Sequence, residues 1–505
     1  MTAWEVAVYG ATAGGAMAAI AAAESGARTV LLEPGAHVGG MISGGLGKTD
    51  MERQERVIGG LARRFFERVG MHYYGQPIAW RFEPHVAEQV LGEWLDAAGV
   101  EVRFGAVLRD VVRANGLIRS VLFETAGSVE STESAVFVDA SYEGDLLAAA
   151  GVTYATGRED RSLHGESLAG RRELLPDPHQ FRAAVRVDEA GALARYIQPL
   201  DSIGLPGEGD GKVQSYCYRI CLTSDRANAE PVPAPAGYEP EQYSAVAAYL
   251  AALADRATVR DVLGIGELPH GKTDINSGGP ISTNLLSASW PYVQADRETR
   301  SAIAREHRDW AQGLLYFLGH DQAVPAAIQR EVSRYRLPRD EFTDTDGWPH
   351  QLYIREARRM QGDHVMTQRD LTAERHKPDS IGMGGYNIDI REVQWVSCPV
   401  SRFPDVADEI LQEGYLSVPV EPYQIPYRAL LPRREECANL IVSTCISASH
   451  VAFSSFRLEP QYMIAGQAAG VAAALAAGSD GDVQGIDVEV LQEHLRRDGA
   501  ILRLT

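Results

Sequence analysis

Two glycine clusters with an acid between them are the residues of this sequence best suited to chemistry. Gly10-Ala11-Thr12-Ala13-Gly14-Gly15 opens an Ala-rich run, so its backbone N–H groups and the positive end of a helix dipole are available to a pyrophosphate. Glu33 lies 23 residues after Gly10, where a carboxylate accepts bonds from ribose hydroxyls and repels a 2′-phosphate. FAD or NAD fits that pattern; NADP does not. Beyond it, Gly39-Gly40-Met41-Ile42-Ser43-Gly44-Gly45-Leu46-Gly47 places five glycines in nine residues. Such a stretch is neither stable helix nor stable strand, so its backbone must approach something closely or adopt positive φ. The first cluster departs from G-x-G-x-x-G at its middle position, where Thr12 stands. The Thr12 hydroxyl is a candidate to bond a phosphate, against a purely structural turn.

These residues need a strand, a turn, a helix and a second strand to hold them. Glu5-Val-Ala-Val-Tyr9 reads as a short apolar strand, Ala16 to Ser25 as a helix stopped by Gly26, and Arg28 to Glu33 as the next strand. The unit is about 30 residues long, as a mononucleotide-binding half should be. Helices are expected near 58–70 and 83–98. Strands near 101–104, 106–113 and 116–124 suggest an antiparallel excursion, and Ala135–Asp139 a buried strand. From about 160 to 430 the chain is richer in Pro, Arg, Tyr and Trp. Its segment 229–240 holds four prolines and reads as an extended loop. Gln351 to Met360 reads as a helix with Arg355, Arg358 and Arg359 on a solvated face. A buried strand returns near Asn439–Val442, followed by a helix from Pro460 to Ala477. The expected organisation is a discontinuous cofactor domain, 1–160 with 415–480, around a substrate domain 161–414, and a helical tail at 481–505.

Composition excludes several classes. A chain of 505 residues exceeds one hydrophobic core, and 45% apolar with 23% charged residues is an ordinary globular balance. The net charge of −20 argues against a nucleic-acid partner. The start Met1-Thr2-Ala3-Trp4-Glu5 lacks a basic n-region, and the apolar stretch Met463–Ala477 is Ala/Gly-rich and broken by Gln467. A cytoplasmic location with no membrane partner is therefore expected. Five cysteines form no C-x-x-C pair and no zinc spacing, so no metal is expected.

The glycine-rich segment 39–47, following the ribose acid, resembles the G-G-M-x-S-G-G loop of FAD-dependent oxidoreductases in the glutathione-reductase-like superfamily. More narrowly, the chain resembles a bacterial family of FAD-dependent oxidoreductases, some members of which carry the label xanthan lyase. Asp139-Ala140-Ser141-Tyr142-Glu143-Gly144-Asp145 is similar to the family's second cofactor motif, Tyr423–Arg428 to the return from the substrate domain, and Ser447–Phe453 with Arg457–Pro460 and Gly466–Gly470 to its C-terminal signature. The resemblance implies an α/β fold, with a Rossmann-like FAD-binding domain of the three-layer ββα type and an inserted α+β substrate domain. It implies FAD contacts from Gly10, Thr12, Ala13, Gly14 and Gly15; from Glu33 and Pro34; and from Gly39, Gly40, Met41, Ser43, Gly44, Gly45 and Leu46. Further contacts are implied from Val107, Ala140, Asp145, Glu459 and Gln461, with Asp145 near the ribityl or pyrophosphate region and the last long helix aimed at the flavin N1 and O2. Ile381–Arg391 is similar to a segment crossing near the reaction site. A histidine is usual where Arg391 stands, a change that favours either an acidic substrate group or another bond pattern.

With FAD implied, His450 is the leading catalytic candidate, because removing a hydride from a carbon bearing a hydroxyl or amine needs a base for the other proton. Arg457, Arg391 and Tyr386 complete the expected catalytic set. Arg457 holds an anionic substrate or the flavin O2, or only pairs with Glu459. No second strand–glycine turn–helix unit follows residue 160, since Gly264-Ile265-Gly266 and Gly204–Gly211 lack the flanking elements. The expected activity is dehydrogenation or oxidation of a small polar metabolite (a sugar, polyol, amino or hydroxy acid), with electrons passing to O2, a quinone or a carrier. Alternatives are a flavin monooxygenase, a non-catalytic FAD-binding protein and an NAD dehydrogenase. The partner is a small molecule, and a homodimer is allowed.

Overall fold

Alternation along the first strand sets the layers. The computed structural model describes residues 4–174, 179–403 and 406–504. In β1 (Trp4–Tyr9) Val6 and Val8 face one apolar cluster, and Ala7 and Tyr9 face another. The first cluster holds helix α1 (Ala13–Glu24), which joins β1 to β2 (Thr29–Glu33), together with α2 (Gly60–Met71) and α3 (Pro84–Ala97). The second is covered by β4 (Val107–Ala114), β5 (Leu117–Thr125) and the short helix α4 (Asp145–Ala149). Helices, parallel sheet and antiparallel strands thus form three layers, with a Rossmann-like sheet in the middle.

The parallel strands run in the order β3 (Glu101–Phe104), β2, β1, β6 (Ser128–Asp139) and β7 (Leu440–Val442). The segment 101–104 is therefore not part of an antiparallel excursion. It follows helix α3, and a strand reached through a helical crossover joins its sheet in parallel. Within this sheet only β4, β5 and the first half of β6 pair antiparallel.

Strand β7 lies far along the chain from β6, and the helices after it complete the helical layer: α6 (His450–Phe456), α7 (Glu459–Ala477) and α8 (Val488–Arg497). Helix α7 crosses α1 backbone to backbone. A Cβ on Gly466 would lie 2.0 Å from Gly14 O, and one on Gly470 2.1 Å from Ala18 O. The Ala/Gly content of both helices is thus a packing requirement, and α1 has no polar face because both of its sides are covered.

Between β6 and β7 the chain builds separate small sheets. Ile220–Thr223, Lys272–Ser277 and Leu263–Glu267 form one antiparallel sheet; Gln394–Val400 and Ala407–Glu413 pair in another, with Ile197–Pro199 added in parallel. The long helix α5 (Arg297–His320) is N-capped by Asp296, which accepts from Thr299 N at 2.9 Å. A continuous apolar core runs from α1 into this region.

The expected helix at 351–360 does not form. Residues 351–358 belong to no helix or strand, and Arg359–Met360 pairs antiparallel with Tyr154–Ala155. Arg355, Arg358 and Arg359 are buried, not solvated, because each is drawn in a different direction by the groups described below. All five cysteines are free, and no helix among the described residues is long and apolar enough to cross a membrane.

Candidate functional site

At the carboxyl end of β1 the chain turns through Gly10, whose φ is +91° and whose Cβ would lie 2.8 Å from Ser141 N. Thr12 is the N-cap of α1. Its hydroxyl accepts from Gly15 N at 3.1 Å and donates to Ala140 O at 2.8 Å. The oxygen is engaged within the protein, so the structural reading of Thr12 replaces the phosphate-bonding one. The N–H groups of Ala13 and Gly14, ahead of it in the first turn, meet no acceptor among the described residues. Glu33 ends β2 with Oε2 accepting from Ala11 N and Oε1 from Gly35 N, both at 2.6 Å. Burial pushes its pKa up to about 7 despite these bonds. The carboxyl is thereby fixed over the turn, with lone pairs left for hydroxyl donors.

Past Glu33, a cavity of about 500 Å³ opens between Pro34, Val107, Tyr9, Glu143 and Asp145. Four arginines, Arg109, Arg297, Arg300 and Arg358, line it against only those two carboxylates, a balance that suits a pyrophosphate. Asp139 does not face this space: its oxygens accept from Ser141 N, Ser141 Oγ and Leu147 N at 2.7–3.0 Å, which makes it a turn cap. Asp145 does line the cavity, but Arg300 Nη1 and Nη2 hold it at 2.8 and 3.0 Å and Arg358 Nη1 at 2.9 Å. Its role is to aim two guanidiniums, of which the sequence singled out only Arg358, and that one for a solvated face. Unpartnered N–H groups at α1, a fixed ribose acid and a cationic cavity together fit the AMP half and pyrophosphate of a dinucleotide.

The glycine-rich loop is crowded mainly by protein. Gly39 and Gly45 have φ of +103° and +118°. A Cβ on Gly44 would lie 2.3 Å from Gln351 Cβ, and one on Gly45 1.9 Å from Arg219 O. Ser43 Oγ donates to Val38 O at 2.6 Å, and Leu46 is buried. Gly40 and Met41 face Tyr142, whose hydroxyl accepts from Met41 N at 3.0 Å and donates to Glu459 Oε1 at 2.8 Å. Glu459 begins α7; its Oε2 is buried with no partner, and burial raises its pKa to about 8. It is the one residue of the expected C-terminal pair that remains free to meet a ligand. Gln461, expected against the cofactor, donates to Ser455 O and Phe456 O at 2.7 and 3.1 Å and accepts from Tyr423 Oη at 3.2 Å. Its amide closes the end of α6 instead.

The reaction-site candidates gather at α6. Ser449 caps this helix, accepting from Ala452 N at 3.1 Å while donating to Glu166 Oε1 at 2.7 Å. That fixes the backbone of His450, whose N–H is held by Glu159 Oε2 at 2.8 Å. His450 Nδ1 lies 2.8 Å from both oxygens of Glu356, and its Nε2 is buried without a partner. Arg359 bonds both Glu356 and Glu159. Burial would raise the pKa of either carboxylate, but Arg359 and His450 outweigh it and hold both below the usual value. Both stay anionic. In the neutral imidazole, a carboxylate at Nδ1 draws the ring proton there and leaves the lone pair on Nε2. Glu356 was hidden in sequence because 351–360 reads as helix; its place beside three arginines was the only signal.

Arg457 does not pair with Glu459. It donates to Asp389 Oδ2 at 2.8 Å and O at 2.9 Å, and to Tyr353 Oη at 3.2 Å. Arg391 lies 3.3 Å from Glu392 and donates to Ser277 Oγ at 2.7 Å. Gln214 joins the two halves, donating to Glu356 Oε2 at 3.1 Å and accepting from Arg391 N at 2.9 Å. Burial, then Asp389 and Asp50, push the Tyr386 hydroxyl well above its usual pKa, so it stays a neutral donor. One metal-like cluster occurs among the described residues, Glu83, His85 and Asp340. Lys272 Nζ already lies 2.7 Å from Glu83 and 2.9 Å from Asp340, so an ammonium fills that role.

Comparison with known proteins gives a family. The model for FAD dependent oxidoreductases matches residues 5–495. No curated protein gives a significant match. Among solved structures, a flavoprotein/dehydrogenase from Cytophaga hutchinsonii is similar at 17% identity over 30% of this chain and 42% of that one, with a TM-score of 0.23. Anhydrotetracycline hydroxylase from Streptomyces rimosus gives 17% identity over 36% and 42%, TM-score 0.24. The p-nitrophenol 4-monooxygenase of Pseudomonas putida gives 16% over 33% and 50%, TM-score 0.22. The matched part spans half or less of each of these proteins, and likenesses of this size carry no argument about the reaction.

Proposed function

This chain belongs to the FAD-dependent oxidoreductase family, and from that premise we propose that it removes a hydride from a carbon bearing a hydroxyl or amine in a small polar metabolite. FAD is its cofactor and supplies the two-electron acceptor. Placement in the glutathione-reductase-like superfamily is part of the same proposal, supported by the strand, turn, helix, strand and acid over residues 4–33.

The observation that carries the reading is the buried Glu356–His450 pair with its unpartnered Nε2. Nε2 accepts the hydroxyl or amine proton as the adjacent C–H bond breaks, and Glu356 steadies the charge that His450 gains. Arg359 and Glu159 hold Glu356 and the His450 backbone in place. Ala13 and Gly14 N–H, with Arg300 and Arg358, hold the pyrophosphate; Glu33 takes the ribose hydroxyls. Tyr386 orients the substrate as a neutral donor. The electron acceptor is O2, a quinone or a carrier.

Anaerobic mixing of the FAD-loaded protein with a panel of sugars, polyols, amino acids and hydroxy acids tests this. Bleaching of the flavin by one of them, slowed at least 100-fold in His450→Asn, supports the reading. Two of the solved structures named above are a hydroxylase and a monooxygenase, and that alternative is separated by NAD(P)H consumption. Bleaching only by NAD(P)H, with oxygen appearing in a product, replaces dehydrogenation with monooxygenation.

A further inference from the structure

Buried arginines near the reaction site are matched to acids, with one exception. Arg219 pairs with Asp274, Arg457 with Asp389, Arg391 with Glu392, and Arg359 with Glu356 and Glu159. Arg355 is 2% exposed and has no carboxylate within 4.0 Å among the described residues. Its guanidinium donates to Ser215 O and to Cys217 Sγ, the latter at 3.3 Å, and lies 4.6 Å over the ring of Tyr353. A guanidinium offers five N–H groups, so this environment leaves donors over.

A buried cation with no counter-charge is costly. Burial lowers the Arg355 pKa, and Arg391 and Arg457 add to that effect. The position belongs to the site described above. Arg355 precedes Glu356, the partner of His450, and the Tyr353 that it covers accepts from Arg457 at 3.2 Å. We infer that Arg355 binds the carboxylate of the substrate, so that the substrate is a small 2-hydroxy or 2-amino acid and not a neutral sugar or polyol. One uncompensated positive charge matches one monoanion, whereas a phosphate monoester dianion would leave the site negative. A planar fork also matches a carboxylate. This inference rests on the hydride-removal reading for the nature of the oxidised carbon, but the anion requirement stands on Arg355 alone.

The test uses the FAD-loaded protein with glycolate, lactate and alanine against ethylene glycol, propane-1,2-diol and alaninol, and acetate as a non-reacting anion. Acetate should raise the melting temperature of the wild type and leave Arg355→Met unchanged, and the ligand-free Arg355→Met should melt at or above the wild type, because an unpaired buried charge is gone. Carboxylates that perturb or bleach the flavin should bind about 100-fold more weakly to Arg355→Met, with Arg355→Lys between the two. Equal acetate stabilisation of all three proteins overturns the inference. So does a ligand-free Arg355→Met that melts well below wild type while Cys217→Ser does the same, which would make the Arg355–Cys217 hydrogen bond a structural contact. Carboxylate binding without bleaching leaves Arg355 as an anion site and sinks hydride removal; bleaching by the diols, indifferent to Arg355, does the reverse.

Discussion

Replacing Glu459 by Gln should change how the stability of FAD-free protein depends on pH. The buried carboxyl has its pKa raised from 4.5 to about 8, and one of its oxygens has no partner. In the unfolded chain it ionises near 4.5; in the folded protein it stays protonated until pH 8. The stability tied to this proton is complete below pH 4.5 and is lost as pH rises toward 8. Each unit of displacement corresponds to about 1.4 kcal/mol, so wild type should lose about 3 kcal/mol relative to Glu459→Gln between pH 4.5 and 7, and about 5 kcal/mol by pH 8 and above. Gln keeps the acceptor for Tyr142 Oη, and its own unpartnered N–H groups add an offset that does not vary with pH. Urea unfolding of both proteins at half-unit steps from pH 5 to 9 measures the difference directly. Groups common to both, Glu33 among them, cancel. A difference that stays flat, or that falls with pH, would show Glu459 ionised in the native state and would refute the burial argument.

Four further outcomes are expected. Glu356→Gln should retain FAD but lower turnover about 10²- to 10⁴-fold, read as kcat in steady-state assays with any substrate found by flavin bleaching; turnover within threefold of wild type would remove Glu356 from the reaction. Arg358→Met should weaken FAD binding about 10- to 100-fold by fluorescence titration, since it unbalances Asp145 and the cationic cavity; unchanged affinity would place the pyrophosphate elsewhere. Thr12→Ala should lose about 1 kcal/mol of stability as a helix cap with FAD still stoichiometric, whereas Gly466→Ala, whose new methyl would lie 2.0 Å from Gly14 O, should lose roughly 2–3 kcal/mol or more. FAD loss in the first, or neutrality in the second, contradicts the geometry given for α1.

The nucleotide-binding end was legible in sequence because its constraints are local. A strand, a turn that needs positive φ at Gly10, an Ala-rich helix and an acid at the next strand end lie within 33 residues and say where each backbone group points. Thr12 illustrates the limit: its type was visible, but its acceptor, Ala140 O, lies just past the end of a strand more than a hundred residues away. The reaction end was legible only in part. His450 stood out by type, yet Glu356 and the three arginines around it carry a helical period without being helical. Their side chains reach Glu143, Glu159 and Ser215 O, contacts made only when separate parts of the chain meet, and those contacts override local propensity. Gln461 failed for the same reason, since Tyr423 and the end of α6 claim its amide.

The strand that completes the parallel sheet has a consequence for the life of the chain on the ribosome. Leu440–Val442 pair with Phe137–Asp139 across roughly 300 residues, which at about 5–20 residues per second take on the order of 15–60 seconds to make. During that interval β6 presents an open edge, and α1 lacks the helix that covers its glycines. A nascent chain stalled before residue 440 should therefore be open to strand pairing with its neighbours and dependent on chaperones, and fragments ending there should aggregate where the whole chain does not.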